Sequence, residues 1–174
     1  MARDISREAL KKIPTETRWN IATQSYTGSI AGYDIFVGQA LGKEKWQELH
    51  DNLWGEGGKM TFPQISEAFN IPVDDTMGAS TLTGVVCLLS QGDEWEWENP
   101  ELTPKRTVVR VTKCPWFNRY KEFGIKPEDM ICPGGHIRFT GDGVKAVNPK
   151  IKHTLTKAMP WGDPYCEGVF ELEE

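Results

Sequence analysis

The segment "EWEWENPELTPKRTVVRV", from Glu94 to Val111, decides the fold class, because the hydrophobic pattern changes its period there. Glu94–Glu98 alternates acidic and aromatic residues, which is typical of a strand with one solvated face and one covered face. Asn99–Pro104 is polar and contains two prolines, so it is predicted to connect this strand to the next. Thr107–Val111 is β-branched and predicts a second strand, which should end before Pro115 because proline cannot donate to a ladder.

Two later segments, 151–157 and 165–172, are predicted to be further strands. Upstream of the quoted segment, apolar residues recur instead at three- and four-residue steps, which predicts amphipathic helices. The buried stripe of the first helix is predicted to consist of Trp19, Ala22, Tyr26, Ile30, Tyr33, Val37 and Leu41. Gly42 should end this helix.

Three further helices are predicted in the same half of the chain. One contains Trp46–Leu53 and should stop in the glycine-rich run 55–58. A short one begins at Thr61–Gln64, which has capping-box spacing. Asp74 should cap the last helix, which Gly92 stops.

Together these patterns predict an α+β fold in which a helical N-terminal half packs on a small antiparallel sheet formed by the C-terminal half. A chain of 174 residues is long enough to bury one core without disulfides or metals. We therefore expect residues 1–174 to form a single domain. Residues 1–92 should be mainly helical, and residues 93–174 should be sheet-rich and carry the cysteine motifs.

Charge and composition argue against several classes of protein. A net charge of −5 disfavours a nucleic-acid partner, since phosphate binding needs a basic face. No apolar run approaches the length of a membrane span, and the polar start Met1–Lys12 lacks a signal-peptide core. We expect a cytoplasmic protein without a membrane partner. Its four cysteines are too few for a disulfide scaffold and would stay reduced in the cytosol.

The cysteines are therefore candidates for buried apolar residues, metal ligands or reactive thiolates. Cys87 lies in the apolar stripe of the fourth helix and is predicted to be a small buried hydrophobe. Cys114 ends a strand, where loops and ligands meet, and alternation turns Cys166 toward the core side of the last strand. Cys132 precedes Pro133–His136, which is predicted to be a turn.

Two chemical interpretations of the thiols stay open. Cys114, Cys132 and Cys166 together with His136 would make a chemically reasonable Cys₃His zinc site, although no closely spaced cysteine pair occurs. Alternatively, Cys114 is a thiolate nucleophile whose pKa is lowered by a neighbouring histidine or carboxylate. Taken alone, His136 is expected to be a loop histidine and His153 a core-edge histidine.

The cysteines belong to a recognisable series of motifs. In chain order these are Cys114-Pro115, Gly124-Ile125, Cys132, Asn148-Pro149 and Gly162-Asp163-Pro164-Tyr165-Cys166, followed by Phe170. The series resembles the L-2-amino-thiazoline-4-carboxylate hydrolase-like family, and its closing motif is similar to vinyl-reductase-type small-molecule-binding domains. The resemblance implies an intracellular domain with a cysteine-lined pocket between helices and sheet, and an activity that opens a thiazoline ring by hydrolysis.

We therefore expect a hydrolase-like enzyme that acts on a small cyclic C–N substrate of the thiazoline-carboxylate type. Cys114 is the expected nucleophile or ligand, with Cys132 and Cys166 as its neighbours. Asp163 or His136 is expected to transfer protons. Substrate contacts are expected from Trp116, Tyr33, Tyr26 and His153.

A function of another class fits the same sequence. Seven tryptophans could wall a pocket, as in a non-catalytic module of the vinyl-reductase-domain type that binds a small molecule. No metal site or other cofactor is expected, but a zinc or iron ion on Cys114, Cys132 and Cys166 stays open. Trp95 and Trp97 share one face of a strand otherwise made of glutamates. This apolar face must be buried against the helices or a second subunit, and we expect a homodimer.

Overall fold

The computed structural model describes residues 5–173 and confirms the α+β class. The helices are α1 (Ile5–Lys11), α2 (Thr15–Leu41), α3 (Lys43–Phe69), α4 (Thr76–Gln91), α5 (Pro115–Glu122) and α6 (Cys132–Val147). The strands are β1 (Glu96–Leu102), β2 (Arg106–Lys113), β3 (Ile151–Lys157) and β4 (Cys166–Leu172). Residues 1–4, part of the polar start, lie outside the described range, as does residue 174. Within that range no helix is both long and apolar enough to cross a membrane.

The four strands form one antiparallel sheet in the order β1-β2-β4-β3. The register of the two central strands places Val111 opposite Cys166. The edge strand β1 is longer than predicted, because it continues through Pro100 instead of ending at the connection. A register shift between Glu98 and Glu101 accommodates the proline, as edge strands and bulges commonly do.

The core lies between one face of this sheet and the helices α3, α4 and α6. Its most buried apolar side chains include Phe62, Leu82, Val86, Val109, Val144, Ile151 and Phe170. The predicted inward face of the last strand is confirmed, since Gly168 and Phe170 are buried and Cys166 packs against the core. Cys87 is buried in the same core, as predicted for a small hydrophobe.

The glycine-rich run 55–58 does not end a helix, so this prediction was wrong. α3 is continuous over 27 residues, and both the expected capping box 61–64 and Pro63 lie inside it. The cause is contact with α6: a Cβ added to Gly58 would lie 2.9 Å from the carbonyl carbon of Phe139 and closer still to its oxygen. Close packing between the two helices therefore outweighs the low helix propensity of glycine.

Pro133–His136 is not a turn but the first turn of α6, a helix that the sequence pattern did not predict. Pro133 is tolerated there because the first N–H groups of a helix have no intrahelical acceptor. Three glycines of α6, Gly134, Gly135 and Gly143, again face α3. A Cβ on Gly135 would lie 2.9 Å from Cδ1 of Trp54, and one on Gly143 would lie 2.7 Å from Cγ of Phe62.

The predicted buried face of α2 was also wrong. Tyr26 is 43% exposed and Tyr33 is 68% exposed. The residues that α2 buries are Thr23, Thr27, Ala31 and Asp34. Threonine can be buried there because its hydroxyl bonds to its own helix, as Thr27 does to the carbonyl oxygen of Thr23 at 2.9 Å. The apolar pattern therefore marks a more exposed face of this helix.

Glycines end two of the helices as predicted. Gly42 follows α2 with φ 82°, and Gly92 follows α4 with φ 73°, a region that favours glycine. The cap of α4 lies one residue later than predicted. Asp75, and not Asp74, accepts the backbone N–H of Gly78 at 2.9 Å.

The two tryptophans that alternate along the quoted segment share a face, as predicted. The rings of Trp95 and Trp97 stack with centroids 4.3 Å apart. Trp95 is buried in the core, and α4 approaches Trp97 at Gly84. Much of the cover that this pair needs therefore comes from the chain itself, and the homodimer stays a prediction.

Candidate functional site

A cavity of about 500 Å³ lies between the sheet and the surrounding helices. This volume falls in the range of small-molecule sites, roughly 300–1,000 Å³. Seven of the predicted site residues line it: Cys114, Cys132, Cys166, His136, Trp116, Tyr26 and His153. Cys87 lines it as well, so all four thiols converge on one space.

Two predicted site residues do not line the cavity. The carboxylate of Asp163 accepts the backbone N–H of Ala158 at 3.0 Å and so holds the connection between β3 and β4. Its charge reaches the site only by helping to raise the pKa of Cys166. Tyr33 lies on the exposed side of α2. Neither residue is placed to contact a molecule in the cavity.

The thiols are held in their protonated form. Burial raises the pKa of Cys114 to about 12, and the neighbouring Cys166 adds to the shift. The backbone N–H groups of Trp116 and Phe117, at the start of α5, act in the opposite direction but do not compensate. Burial likewise raises the pKa of Cys132 well above its usual value. These shifts are opposite to the lowered pKa expected of a thiolate nucleophile.

The alternative zinc arrangement finds no support in the described residues. In the part of the chain that the structure describes, no group of three or more His, Cys, Asp or Glu side chains is placed to hold a metal ion. The four ligands of a Cys₃His site would have to meet at one point with Zn–S and Zn–N distances of roughly 2.0–2.3 Å. The described geometry therefore gives no support to a site built from Cys114, Cys132, Cys166 and His136.

Two histidines form part of the cavity wall, the buried His153 and the half-buried His136. The rings of His136 and His153 meet edge to face with centroids 5.4 Å apart, and His153 also packs on Phe170. Burial lowers the pKa of His136 to about 4 and that of His153 well below its usual value. Both imidazoles are therefore neutral at pH 7. Nδ1 of His153 is buried and has no hydrogen-bond partner within residues 5–173.

A buried polar network that the sequence did not predict reaches the same cavity from α2, α3 and α5. The Tyr120 hydroxyl donates to the carboxylate of Asp34. Trp54 Nε1–H donates to His50 Nε2 at 2.8 Å, and His50 Nδ1 lies 3.2 Å from Asp51 Oδ1. Since Nε2 accepts, the ring proton on Nδ1 is donated to Asp51.

This network could have been suspected from one signal. Thr23, Thr27, Ala31 and Asp34 follow each other at steps of four, four and three residues, the spacing of one helix face. The face is polar, however, and polar residues at helical spacing normally indicate a solvated surface. The partner residues of Asp34 lie far away in the chain, and no motif connects them.

The sequence comparison identifies a family. Residues 21–170 match the family described as L-2-amino-thiazoline-4-carboxylic acid hydrolase. The matched range contains every residue that lines the cavity. No curated protein matches the chain.

The fold is shared with two solved structures. One is the crystal structure of the phenol-responsive sensory domain of the transcription activator PoxR with phenol, with a TM-score of 0.60, 10% sequence identity, and coverage of 84% of this chain and 74% of that one. Another is a trafficking protein particle complex subunit 3 from Naegleria fowleri covalently bound to palmitic acid. Its TM-score is 0.62 at 10% identity, covering 85% of this chain and 95% of that one. At this level of identity the likeness shows a common fold.

Proposed function

The chain belongs to the L-2-amino-thiazoline-4-carboxylic acid hydrolase family, and from this premise we propose that it binds a small, largely apolar molecule in the cavity between its helices and its sheet. The observation that carries the proposal is the chemistry of the cavity wall. Most lining side chains are aromatic or aliphatic, Asp34 is the one acidic residue, and no Lys or Arg is among the described residues that line it.

The aromatic part of the wall is already packed. Trp54 meets Trp116 with ring centroids 5.6 Å apart and meets Phe139 at 5.4 Å, both edge to face. Trp116 meets Tyr26 in the same way at 5.9 Å. A ligand that covers such side chains gains roughly 25 cal/mol per Å² of buried apolar surface. Because the rings already hold one another, little of this gain is lost in ordering them.

The charge of the cavity wall limits which ligands can bind. A carboxylate that leaves water needs a cation or several hydrogen-bond donors to replace its hydration. The described lining offers no cation, and Asp34 would repel an anion. The substrate in the family description is a carboxylic acid, so the lining favours an uncharged or cationic ligand over that compound. Proteins of the same fold solved with phenol and with palmitic acid support an apolar ligand by analogy.

Native mass spectrometry of the protein as purified tests this proposal. A retained organic molecule, lost on denaturation, is the expected result. Thermal unfolding in the presence of small aromatic compounds provides a second test, because a ligand at about 100 times its Kd stabilises the folded state by about 2.7 kcal/mol. A chain that carries no ligand and whose unfolding temperature is unchanged by every apolar compound would contradict the proposal.

Hydrolysis is the second candidate function, and family membership is the observation that favours it. In this version Cys114 Sγ bonds to the amidine-type carbon of a thiazoline ring, and the ring nitrogen leaves as an amine with the thiol proton and one proton from the exocyclic amino group, which becomes a C=NH bond to the same carbon. Water then adds to this carbon, Cys114 leaves as the restored thiol, and a carbamoyl group stays on the substrate sulfur. With its pKa raised to about 12, very little of the Cys114 side chain is a thiolate at pH 7. The substrate nitrogen would therefore have to accept the proton directly.

Turnover of 2-amino-thiazoline-4-carboxylate to a product one water heavier, measured by mass spectrometry, tests this candidate. Cys114→Ala should abolish turnover while the fold is kept. Cys87→Ala removes another thiol from the same cavity and serves as the matched control, with turnover expected to persist. Full activity of the Cys114→Ala variant would contradict nucleophilic attack by Cys114.

A further inference from the structure

Asp34 is a buried carboxylate without a cationic partner among the described residues. It is 6% exposed and lines the cavity, and no Lys or Arg is among the lining residues that the structure describes. The hydroxyl of Tyr120 donates one hydrogen bond to it. A carboxylate can accept about four such bonds, so most of its acceptor capacity is unused by the described side chains.

The nearest histidine cannot supply the missing charge. His50 Nε2 lies 3.6 Å from Asp34 Oδ2, but that nitrogen already accepts the indole N–H of Trp54 at 2.8 Å. A proton on Nε2 would point at the donor of Trp54 and break this bond. The same imidazole is hydrogen-bonded through Nδ1 to Asp51, which fixes its tautomer. The described residues therefore provide no cationic partner for Asp34.

We propose that Asp34 is the specificity-determining anchor of the cavity, and that it selects ligands with a positively charged nitrogen, such as a protonated amine or an amidinium, on an otherwise apolar body. The inference rests on the proposed function, because it names the class of ligand for the same cavity. The charged N–H groups of the ligand bond to the unused acceptor sites of Asp34. The hydrogen bond from Tyr120 orients the carboxylate, and the aromatic wall covers the body of the ligand.

Charge-assisted hydrogen bonds are stronger than neutral ones, and this difference should appear as selectivity. Three probes of one shape and different charge test it: benzylamine, benzyl alcohol and benzoate, titrated into the protein at pH 7 by calorimetry. Benzylamine should bind at least about 10-fold more tightly than benzyl alcohol. Benzoate should bind more weakly than both, because Asp34 repels it.

Asp34→Asn keeps the shape of the side chain and removes its charge, so the preference for benzylamine should disappear. Asp74→Asn removes a charge of the same kind from an exposed position and is the matched control, with the preference expected to persist. The comparison of the three probes on the unaltered protein needs no variant, so a variant that fails to fold does not remove the test.

The outcomes separate this inference from the proposed function. If benzyl alcohol binds as tightly as benzylamine, or if Asp34→Asn keeps the preference, Asp34 is not the anchor although the cavity still binds small molecules. If none of the three probes binds, both the anchor and the proposed function are contradicted.

Discussion

Replacing Gly58 with alanine should force α3 and α6 apart. The added Cβ would lie 2.9 Å from the carbonyl carbon and 3.0 Å from the Cα of Phe139, and closer still to the carbonyl oxygen. These are backbone atoms, so no rotation of a side chain can relieve the clash. The axes of α3 and α6 must separate by about 1 Å to restore ordinary contact distances, which are roughly 3.5–4.0 Å between carbon atoms.

The expected loss of stability follows from two opposing effects. Overpacking of a well-packed contact costs about 1–3 kcal/mol, and a backbone clash belongs at the upper end of that range. Alanine in place of glycine in a helix returns about 1 kcal/mol. The net destabilisation should be about 2 kcal/mol. For a domain of this size, that lowers Tm by about 4–8 °C.

Urea unfolding followed by tryptophan fluorescence measures the effect. Gly141→Ala, on the same helix α6, is the matched control, because nothing lies within 4 Å of its added Cβ. That variant should be stabilised by up to about 1 kcal/mol. A Gly58→Ala protein as stable as Gly141→Ala would refute the close contact. Since His50 lies on α3 and Phe139 on α6, ligand binding in the cavity should weaken along with stability.

Three further outcomes are expected. Cys114 should react with iodoacetamide far more slowly than an exposed thiol at pH 7, because its pKa is raised to about 12. Rapid labelling of the folded protein, seen by mass spectrometry, would contradict the raised pKa of this half-buried thiol. Stability should rise between pH 4 and 6.5, by up to about 3 kcal/mol, because the unfolded chain protonates His136 there while the folded state, with a pKa of about 4, does not. His136→Gln should remove the contribution of His136 to this rise and leave that of His153, whose pKa is also lowered; an unchanged slope in urea titrations would contradict the lowered pKa of His136. Side chains such as Tyr33 and Phe36, 68% and 73% exposed, leave apolar surface on α2, and we expect a homodimer; a monomer mass in light scattering would contradict it.

The sheet could be predicted from the sequence because its signals are local. Alternation, β-branched residues and prolines indicate strands over a few residues, and β3 spans the predicted range Ile151–Lys157. The end of β2 near Pro115 follows from the chemistry of proline alone. The α+β class could be predicted from the change of the hydrophobic period midway along the chain alone.

The helix predictions were wrong where the position of a residue in a helix depends on packing against a residue far away in the sequence. Gly58 looks like a helix terminator until Phe139, 81 residues later in the sequence, is known to pack against it. The glycines after Pro133 suggested a turn for the same reason. Local propensity predicts the end of a helix correctly at Gly42 and Gly92, where glycine adopts a positive φ.

The site was predictable in part. The cysteine motifs drew attention to Cys114, Cys132 and Cys166, and these do line one cavity. Asp34 could not be found in the same way, because its hydrogen-bond partner Tyr120 lies 86 residues away and belongs to no motif. The direction of the thiol pKa shifts was also beyond the sequence, since it is set mainly by burial in the folded chain.

The most direct test of the central claim, that the cavity is the ligand site, is a crystal structure of the protein soaked with benzyl alcohol. The expected result is one molecule inside the cavity, in contact with Trp54, Phe139 and Cys114. A cavity filled by collapsed side chains, or a ligand found only on the outer surface at a concentration that saturates binding in solution, would contradict the claim.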